Sequence, residues 1–399
     1  MKETKFKDTE LGKIPEEWDY GKFEDYLDKF SAGATPYRGI ASNFIGTIPW
    51  VSSGELNYNY ITDTREHISQ DAQKSTHLTL HPKGTFLIAI TGLEAAGTRG
   101  RCAFIETPAT TNQSCLAIYS TEKMIVEYLF WFYQQWSDYL AFNFSQGSKQ
   151  QSFTAEIVKK LPIYAPSLSE QQRIASALSD ADALVAELDV LIEKKRAIMA
   201  GTMQELLTGK RRLQGFSGER KETSLSYFGN VTMGQSPSSL FYNDAKDGLP
   251  LIQGNADMCN RKSIIRNYTS KITKTCNAGD IIMSVRAPVG AVGMASFASC
   301  IGRGVCAFKR NIFLYYLLLF IEDDWSKLSA GSTFESVNGN HIRNFEVTIP
   351  SSLAEQRAIA SILSDMDAEI AELEAKRDKY KEVRQGMMQQ LLTGKIRLI

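Results

Sequence analysis

Glu170-Gln171-Gln172-Arg173-Ile174-Ala175-Ser176-Ala177-Leu178-Ser179-Asp180-Ala181-Asp182-Ala183 returns 185 positions later as Glu355-Gln356-Arg357-Ala358-Ile359-Ala360-Ser361-Ile362-Leu363-Ser364-Asp365-Met366-Asp367-Ala368. Both copies close on the same word, Leu206-Leu207-Thr208-Gly209-Lys210 and Leu391-Leu392-Thr393-Gly394-Lys395. Without a gap, more than half of residues 170–213 equal their partners in 355–398, so the chain is a tandem duplication. Apolar residues fall at Ile174, Leu178, Ala181, Val185, Leu188, Ile192, Met199 and Leu206, and again at Ile359, Leu363, Met366, Ile370, Leu373, Tyr380, Met387 and Leu391. Steps of mostly three or four make one helical stripe in each copy. Ser169 and Glu170 stand at the first start, and Gly209 and Gly394 where a helix stops. The spacing predicts helices over about 168–208 and 353–393, each about 57 Å long at 1.5 Å per residue. A stripe that long needs a partner, and the nearest is its own copy, packed antiparallel.

Working outward, the segments before each helix run through one order of short β-type stretches and turns. In the first, Ile48–Val51, Gly84–Ile90 and Leu116–Tyr119 precede a helix candidate at Val126–Leu140. In the second, Leu249–Ile252, Gly279–Val285 and Val305–Phe308 precede Phe313–Lys327. The expected fold class is α+β: two mixed α/β globules separated by two long antiparallel coiled-coil helices, with pseudo-twofold symmetry from the duplication. The boundaries follow as 1–166 for the first globule, 167–213 for the central helix, 214–350 for the second globule and 351–399 for the C-terminal helix.

A chain of 399 residues with 43% hydrophobic and 23% charged side chains is composed like an ordinary soluble globular protein. Its greasiest run, Ile312–Ile321, is too short to span a bilayer, and the N-terminus lacks a signal-peptide core. Six cysteines without CxxC spacing read as reduced thiols of a cytoplasmic protein. Net charge is zero, but residues 1–166 carry a net −3 and residues 214–350 a net +3. A near-neutral chain can still meet nucleic acid if its basic residues share a face.

Catalytic machinery is missing from the pattern. Leu207-Thr208-Gly209-Lys210 imitates the end of a phosphate loop, but Gln204 and Arg211 stand where that loop needs Gly and Ser or Thr. His77 and His81 flank Leu78-Thr79-Leu80 before Pro82, where a surface pair is expected rather than a zinc site. No GxSxG elbow, GxGxxG fingerprint or Asn/Asp-Pro-Pro-Tyr/Phe string occurs. The expected catalytic set and metal set are both empty. The polar loops are the candidates for contact. Arg286 and Arg303 sit at turns beside strands, where an arginine can fork to a guanine edge or clamp a phosphate. Arg99, Arg101, Asn112 and Gln113 occupy similar places in the first globule. Ser148, Lys149 and Gln150 match the loop carrying Ser332 and Thr333, and Gln253 and Asn255 follow Leu249–Ile252. The aromatics at 128–142 are expected in the core.

Taken together, the chain resembles the DNA specificity subunit of type I restriction-modification systems. The resemblance rests on Pro166…Glu170-Gln171 and Pro350…Glu355-Gln356, the repeated helix, and the Leu-Leu-Thr-Gly-Lys-x-Arg-Leu exit. It also rests on the opening Glu10-Leu11-Gly12-Lys13-Ile14-Pro15-Glu16-Glu17-Trp18 and the paired turns Gly33-Ala34-Thr35-Pro36 and Gly234-Gln235-Ser236-Pro237. One departure is that no tryptophan matches Trp18 in the second half, where Thr223-Ser224 stands near. The resemblance implies a non-catalytic subunit with two target-recognition domains, each reading half of a split, asymmetric site on double-stranded DNA. The helices would act as a ruler, and residues 1–20 would pack beside the C-terminal helix. It implies two methylation subunits using S-adenosylmethionine on adenine N6 and two motor-endonuclease subunits using ATP with Mg. The repeated charges Asp182, Glu187, Arg212, Asp367, Glu372 and Arg397 are the expected contacts with those identical partners. Ala175, Ala186, Ala360 and Ala371 are small enough for close helix approach. The rival reading is a duplicated scaffold that binds proteins alone.

Overall fold

The structure is a computed structural model and describes residues 4–94, 99–147, 150–325 and 336–399. The chain divides into two compact units, Met1–Glu187 with Lys376–Ile399, and Leu188–Ala375. Each unit therefore holds one globule and a part of both long helices.

In the first unit a five-stranded sheet runs in the order Leu27–Ala32, Cys115–Ser120, Phe86–Ala89, Cys102–Ile105, Asn59–Ile61. Its last pair is parallel and the others antiparallel. The three inner strands are continuous apolar runs because both of their faces are covered, while the two edge strands are partly exposed. On one face Phe86, Ile88, Phe104, Leu116 and Ile118 pack with the helix Val126–Phe144, whose Tyr128 to Tyr133 are all buried. On the other, Leu87, Ala89, Ala103, Ile105, Cys115 and Ala117 close over Val51 and Leu56. The aromatics of this helix are core, except that Tyr139 and Phe142 lie at the surface. The second unit repeats the order as Thr232–Met233, Val305–Phe308, Ile281–Ser284, Val292–Met294, Lys262–Ser263, with Met258–Cys259 added at the edge. Its helix is Ile312–Phe320. A smaller sheet in each unit pairs Ile48–Val51 with Thr110–Thr111 and Leu249–Ile252 with Ser299–Ile301, both in parallel.

The long helices are Leu168–Thr208 and Leu353–Leu391, of 41 and 39 residues. Ser167 and Ser352 accept hydrogen bonds from Glu170 and Glu355 at their starts. Gly209 and Gly394 take φ of +80° and +67°, the left-handed stop that Thr-Gly-Lys was read to be. Within each unit the two helices run antiparallel: Asp182 pairs with Arg384 in the first, and Lys195 with Glu369 at 2.6 Å in the second. The stripe Ile174, Leu178, Val185, Leu188, Ile192 and Leu206 is buried, as are Ile359, Leu363, Ile370 and Leu391. Ala175 and Ala360 are buried with it, whereas Ala186 and Ala371 face outward and make no close approach.

Each unit is closed by one ion pair. In the first, Arg397 forks onto Glu170 at 2.7 and 2.8 Å and reaches Glu17 at 3.2 Å. Trp18 donates its indole N–H to the same Glu170 carboxylate at 3.1 Å and lies 5.7 Å under Arg397. In the second, Arg212 forks onto Glu355 with two bonds of 2.7 Å. The two carboxylates are 3% and 2% exposed. Phe23 donates to Leu161 and Leu225 to Phe345 at equivalent strand starts, which makes Arg220, not Thr223-Ser224, the counterpart of Trp18. Arg220 fills the space beside Gly209 that Pro15 and Trp18 fill beside Gly394, and it donates to the carbonyls of Leu207 and Thr348.

Removing Arg397 leaves a buried carboxylate with one indole N–H as its remaining side-chain partner. Arg397→Ala should lower the stability of the first unit by roughly 3 kcal/mol in urea unfolding, and a loss below about 1 kcal/mol would place the pair among ordinary surface bridges.

Candidate nucleic-acid interface

The paired Gly-x-x-Pro turns are not isolated. In the first unit Gly33 and Ala34 donate to the carbonyls of Cys115 and Thr111, at 3.4 and 3.2 Å. Asn112 donates to Val51 at 2.8 Å, Cys115 to Asn112 at 3.2 Å, and Ile90 to Ser114 at 2.9 Å. In the second unit Gly234 and Gln235 donate to Val305 and Ile301, both at 2.9 Å. Gly302 donates to Ile252 at 2.8 Å, Val305 to Gly302 at 3.0 Å, and Val285 to Gly304 at 2.9 Å. Five bonds match five bonds. The three-residue tips Asn112-Gln113-Ser114 and Gly302-Arg303-Gly304 are thus the same loop. A Cβ on Gly33 would strike the carbonyl of Thr111, and one on Gly234 that of Gly302, so both turns need glycine for close approach.

The hydroxyl before each proline completes the loop. Thr35 donates to the Gln113 side-chain oxygen, and Ser236 accepts from the Arg303 backbone N–H at 3.0 Å. Both hydroxyls escaped the sequence reading, although the paired turns carrying them were its signal. Gln113 and Arg303 are exposed, and among the described residues the Arg303 guanidinium has no hydrogen bond or ion pair.

The other candidates separate. Arg286 is exposed and bridges Ser336 through its backbone, which makes it the counterpart of Thr91, bridged to Ser152. Gly100 and Gly290, at φ of +69° and +95°, precede matching strands, so Arg99 and Arg101 correspond to Val289 and Ala291 rather than to Arg286. Arg99 is tied down, its guanidinium donating to the carbonyls of Leu93 and Glu94 at 2.7 and 3.0 Å. Arg101 lines a polar cleft of about 570 Å³ with Asn57, Asn59, Asp63 and Arg65. The Asn112 side chain is half-buried, and its oxygen accepts from the N–H of Ser114 within the same loop at 3.0 Å. Gln253 and Asn255 lie on a turn fixed by Asp257, which accepts from the N–H of Gln253 at 2.6 Å, as Glu55 does from Ser52 at 2.8 Å. Gln150 is exposed, while Ser148, Lys149, Ser332 and Thr333 lie outside the described residues.

Among the repeated charges, Arg212 and Arg397 hold the buried Glu355 and Glu170, which alone accounts for their presence in both copies. Asp182 is engaged by Arg384, and Asp367 accepts from Tyr316 at 3.4 Å, with burial pushing its carboxyl above the usual range. Glu187 and Glu372 remain exposed at equivalent places. The expected histidine surface pair is corrected. His77 sits in a left-handed turn, whereas His81 is 1% exposed and its Nδ1 lies 2.8 Å from the Tyr119 hydroxyl.

A family model described as the type I restriction modification DNA specificity domain matches residues 15–194 and 219–382, once on each half of the chain. The chain belongs to that family. It is 30% identical to a putative type I restriction enzyme MjaX specificity subunit of Methanocaldococcus jannaschii, covering 100% of this chain and 98% of that protein. A second relative from the same organism, the MjaIX specificity subunit, is 36% identical over 46% of this chain and 42% of its own length. A chain of a solved type I restriction-modification system has a TM-score of 0.62 at 23% identity, covering 96% of this chain and 99% of that one. The type I S subunit from M. genitalium has a TM-score of 0.63 at 14% identity, covering 94% and 96%. These two establish a common fold. Nothing in the comparisons favours a scaffold that binds proteins alone, and no helix among the described residues is long and apolar enough to cross a membrane.

Burial depresses His81 from its ordinary 6.5 to about 4. The unfolded chain therefore takes up this proton first, so the stability it governs is full above pH 6.5 and falls as pH drops towards 4. The full span is about 3 kcal/mol. His81→Phe should flatten the acid limb of unfolding for the first unit over that window, and an unchanged slope would show that His81 does not set it.

Proposed function

We propose that this chain is the non-catalytic DNA-recognising subunit of a type I restriction-modification complex, each globule reading one half of a bipartite, asymmetric site. The observation that carries the reading is one loop geometry built twice, with a different exposed side chain at each tip, inside a family of DNA specificity domains. The long helices, each continuous from one unit into the other, would set the spacing of the half-sites, since a rigid helix converts residues into base pairs at 3.4 Å per step. Two methylation subunits would bind the duplicated helical surface and transfer the methyl group of S-adenosylmethionine to adenine N6, the base being turned out of the stack. Two motor-endonuclease subunits would use ATP with Mg. Zero net charge fits a reader that shares phosphate contacts with such partners.

Single-molecule methylome sequencing of a host expressing this chain with its methylation subunit should reveal a split motif with N6-methyladenine on both strands. No new motif from an assembled complex would sink the reading. Arg286→Ala and Arg303→Ala should each weaken one half-site by roughly 1–3 kcal/mol and leave the other alone, as read in competition binding. Charge reversal at Glu187 and Glu372 should weaken capture of the methylation subunit; unchanged capture would remove these two glutamates from the partner surface.

A further inference from the structure

The bonds that frame the two tips define which side chains are available for contact. Asn112 is half-buried with its side-chain oxygen turned onto the N–H of Ser114, and its counterpart Gly302 has no side chain. Ser114 and its counterpart Gly304 have their carbonyls taken by Ile90 and Val285. One position of each tip remains with an exposed side chain: Gln113 in the first unit and Arg303 in the second.

We propose that Gln113 and Arg303 are one recognition position built twice, Gln113 selecting adenine and Arg303 selecting guanine, with Thr35 and Ser236 as positioning residues. The inference rests on the chain being a DNA reader. A glutamine pairs with adenine through one acceptor and one donor, taking the N6 hydrogen and giving one to N7. Thr35 occupies one lone pair of the Gln113 oxygen, holds the amide in place, and leaves the other lone pair and both N–H donors. An arginine offers donors only, in a fork that suits O6 and N7 of guanine. Arg303 meets that description because Ser236 holds its backbone rather than its guanidinium. Arg286 has no such twin, since its counterpart is Thr91. It contributes to the second reader alone.

The test is selection of bound duplexes from libraries randomised across each half-site, using the chain assembled with its methylation subunit, as wild type, Gln113→Arg, Arg303→Gln and Thr35→Val. Both tip residues are exposed, so the exchanges leave the core intact. Gln113→Arg should turn one adenine of the first half-site into guanine, and Arg303→Gln one guanine of the second into adenine. Each preference should shift roughly tenfold or more, the range of a bidentate base contact. Thr35→Val should lower the adenine preference at that same base only, with Thr35→Ser restoring it. Unchanged profiles in both exchanges would overturn the proposal, as would a uniform loss across all sequences, which marks a phosphate contact. A wild-type complex that selects no motif would instead defeat the functional reading beneath it.

Discussion

A carboxylate that cannot stay buried alone organises this molecule. Glu170 and Glu355 open the two long helices with their side chains almost wholly out of solvent. Burying a charge is costly unless a partner comes with it. The partner of Glu170 lies 227 residues away, at the chain's end, and that of Glu355 lies 143 residues back, just past the central helix. Each closure therefore joins the start of one copy's helix to the exit of the other's. A single copy holds a glutamate and an arginine at opposite ends of one helix, too far apart to meet. The duplication supplies the missing partner twice, and the two compact units consequently exchange helix halves.

The same logic explains what could be read in advance. The strands Ile48–Val51, Leu249–Ile252 and Val305–Phe308 fall where the apolar runs stood, because burial on both faces leaves an unbroken signal. The long helices begin at Leu168 and Leu353 and stop just ahead of Gly209 and Gly394, because stripe, cap and stop are local properties. The ion pairs of Arg212 and Arg397 are not legible in the sequence, because nothing within a helical turn reveals a partner more than a hundred residues away. Read along the chain, a repeated charge after a repeated helix suggests a surface. His81 misled for the same reason: its neighbour is Tyr119, brought in by the sheet, and its spacing from His77 had no bearing on either residue.

Trp18 illustrates a subtler case. No tryptophan matches it in the second half, and the packing at the equivalent place differs. The first unit puts an indole against Gly394, where it serves both the buried carboxylate and the arginine above it. The second puts the Arg220 stem against Gly209, with its guanidinium on backbone carbonyls. Burial pushes that guanidinium below its usual value while Glu355 works against the shift. The copies keep the ion pair and differ in what covers it, so the pair is the conserved requirement of closure and the cover is negotiable.

Freedom at the loop tips has the opposite origin. Every bond matched between the two tips runs from a backbone N–H to a backbone carbonyl, and the close turns need only glycine. Such a frame does not depend on which side chain stands in its middle. Exchanging Gln for Arg there gives up the Thr35 bond to the side chain but leaves all five backbone bonds that shape the loop. Arg99 shows the contrary arrangement, in which the guanidinium itself ties the loop to Leu93 and Glu94 and is unavailable for a new role. Divergence after duplication is therefore easiest where backbone alone carries the fold, and a reader of sequence can change its target at that point while its scaffold stays the same.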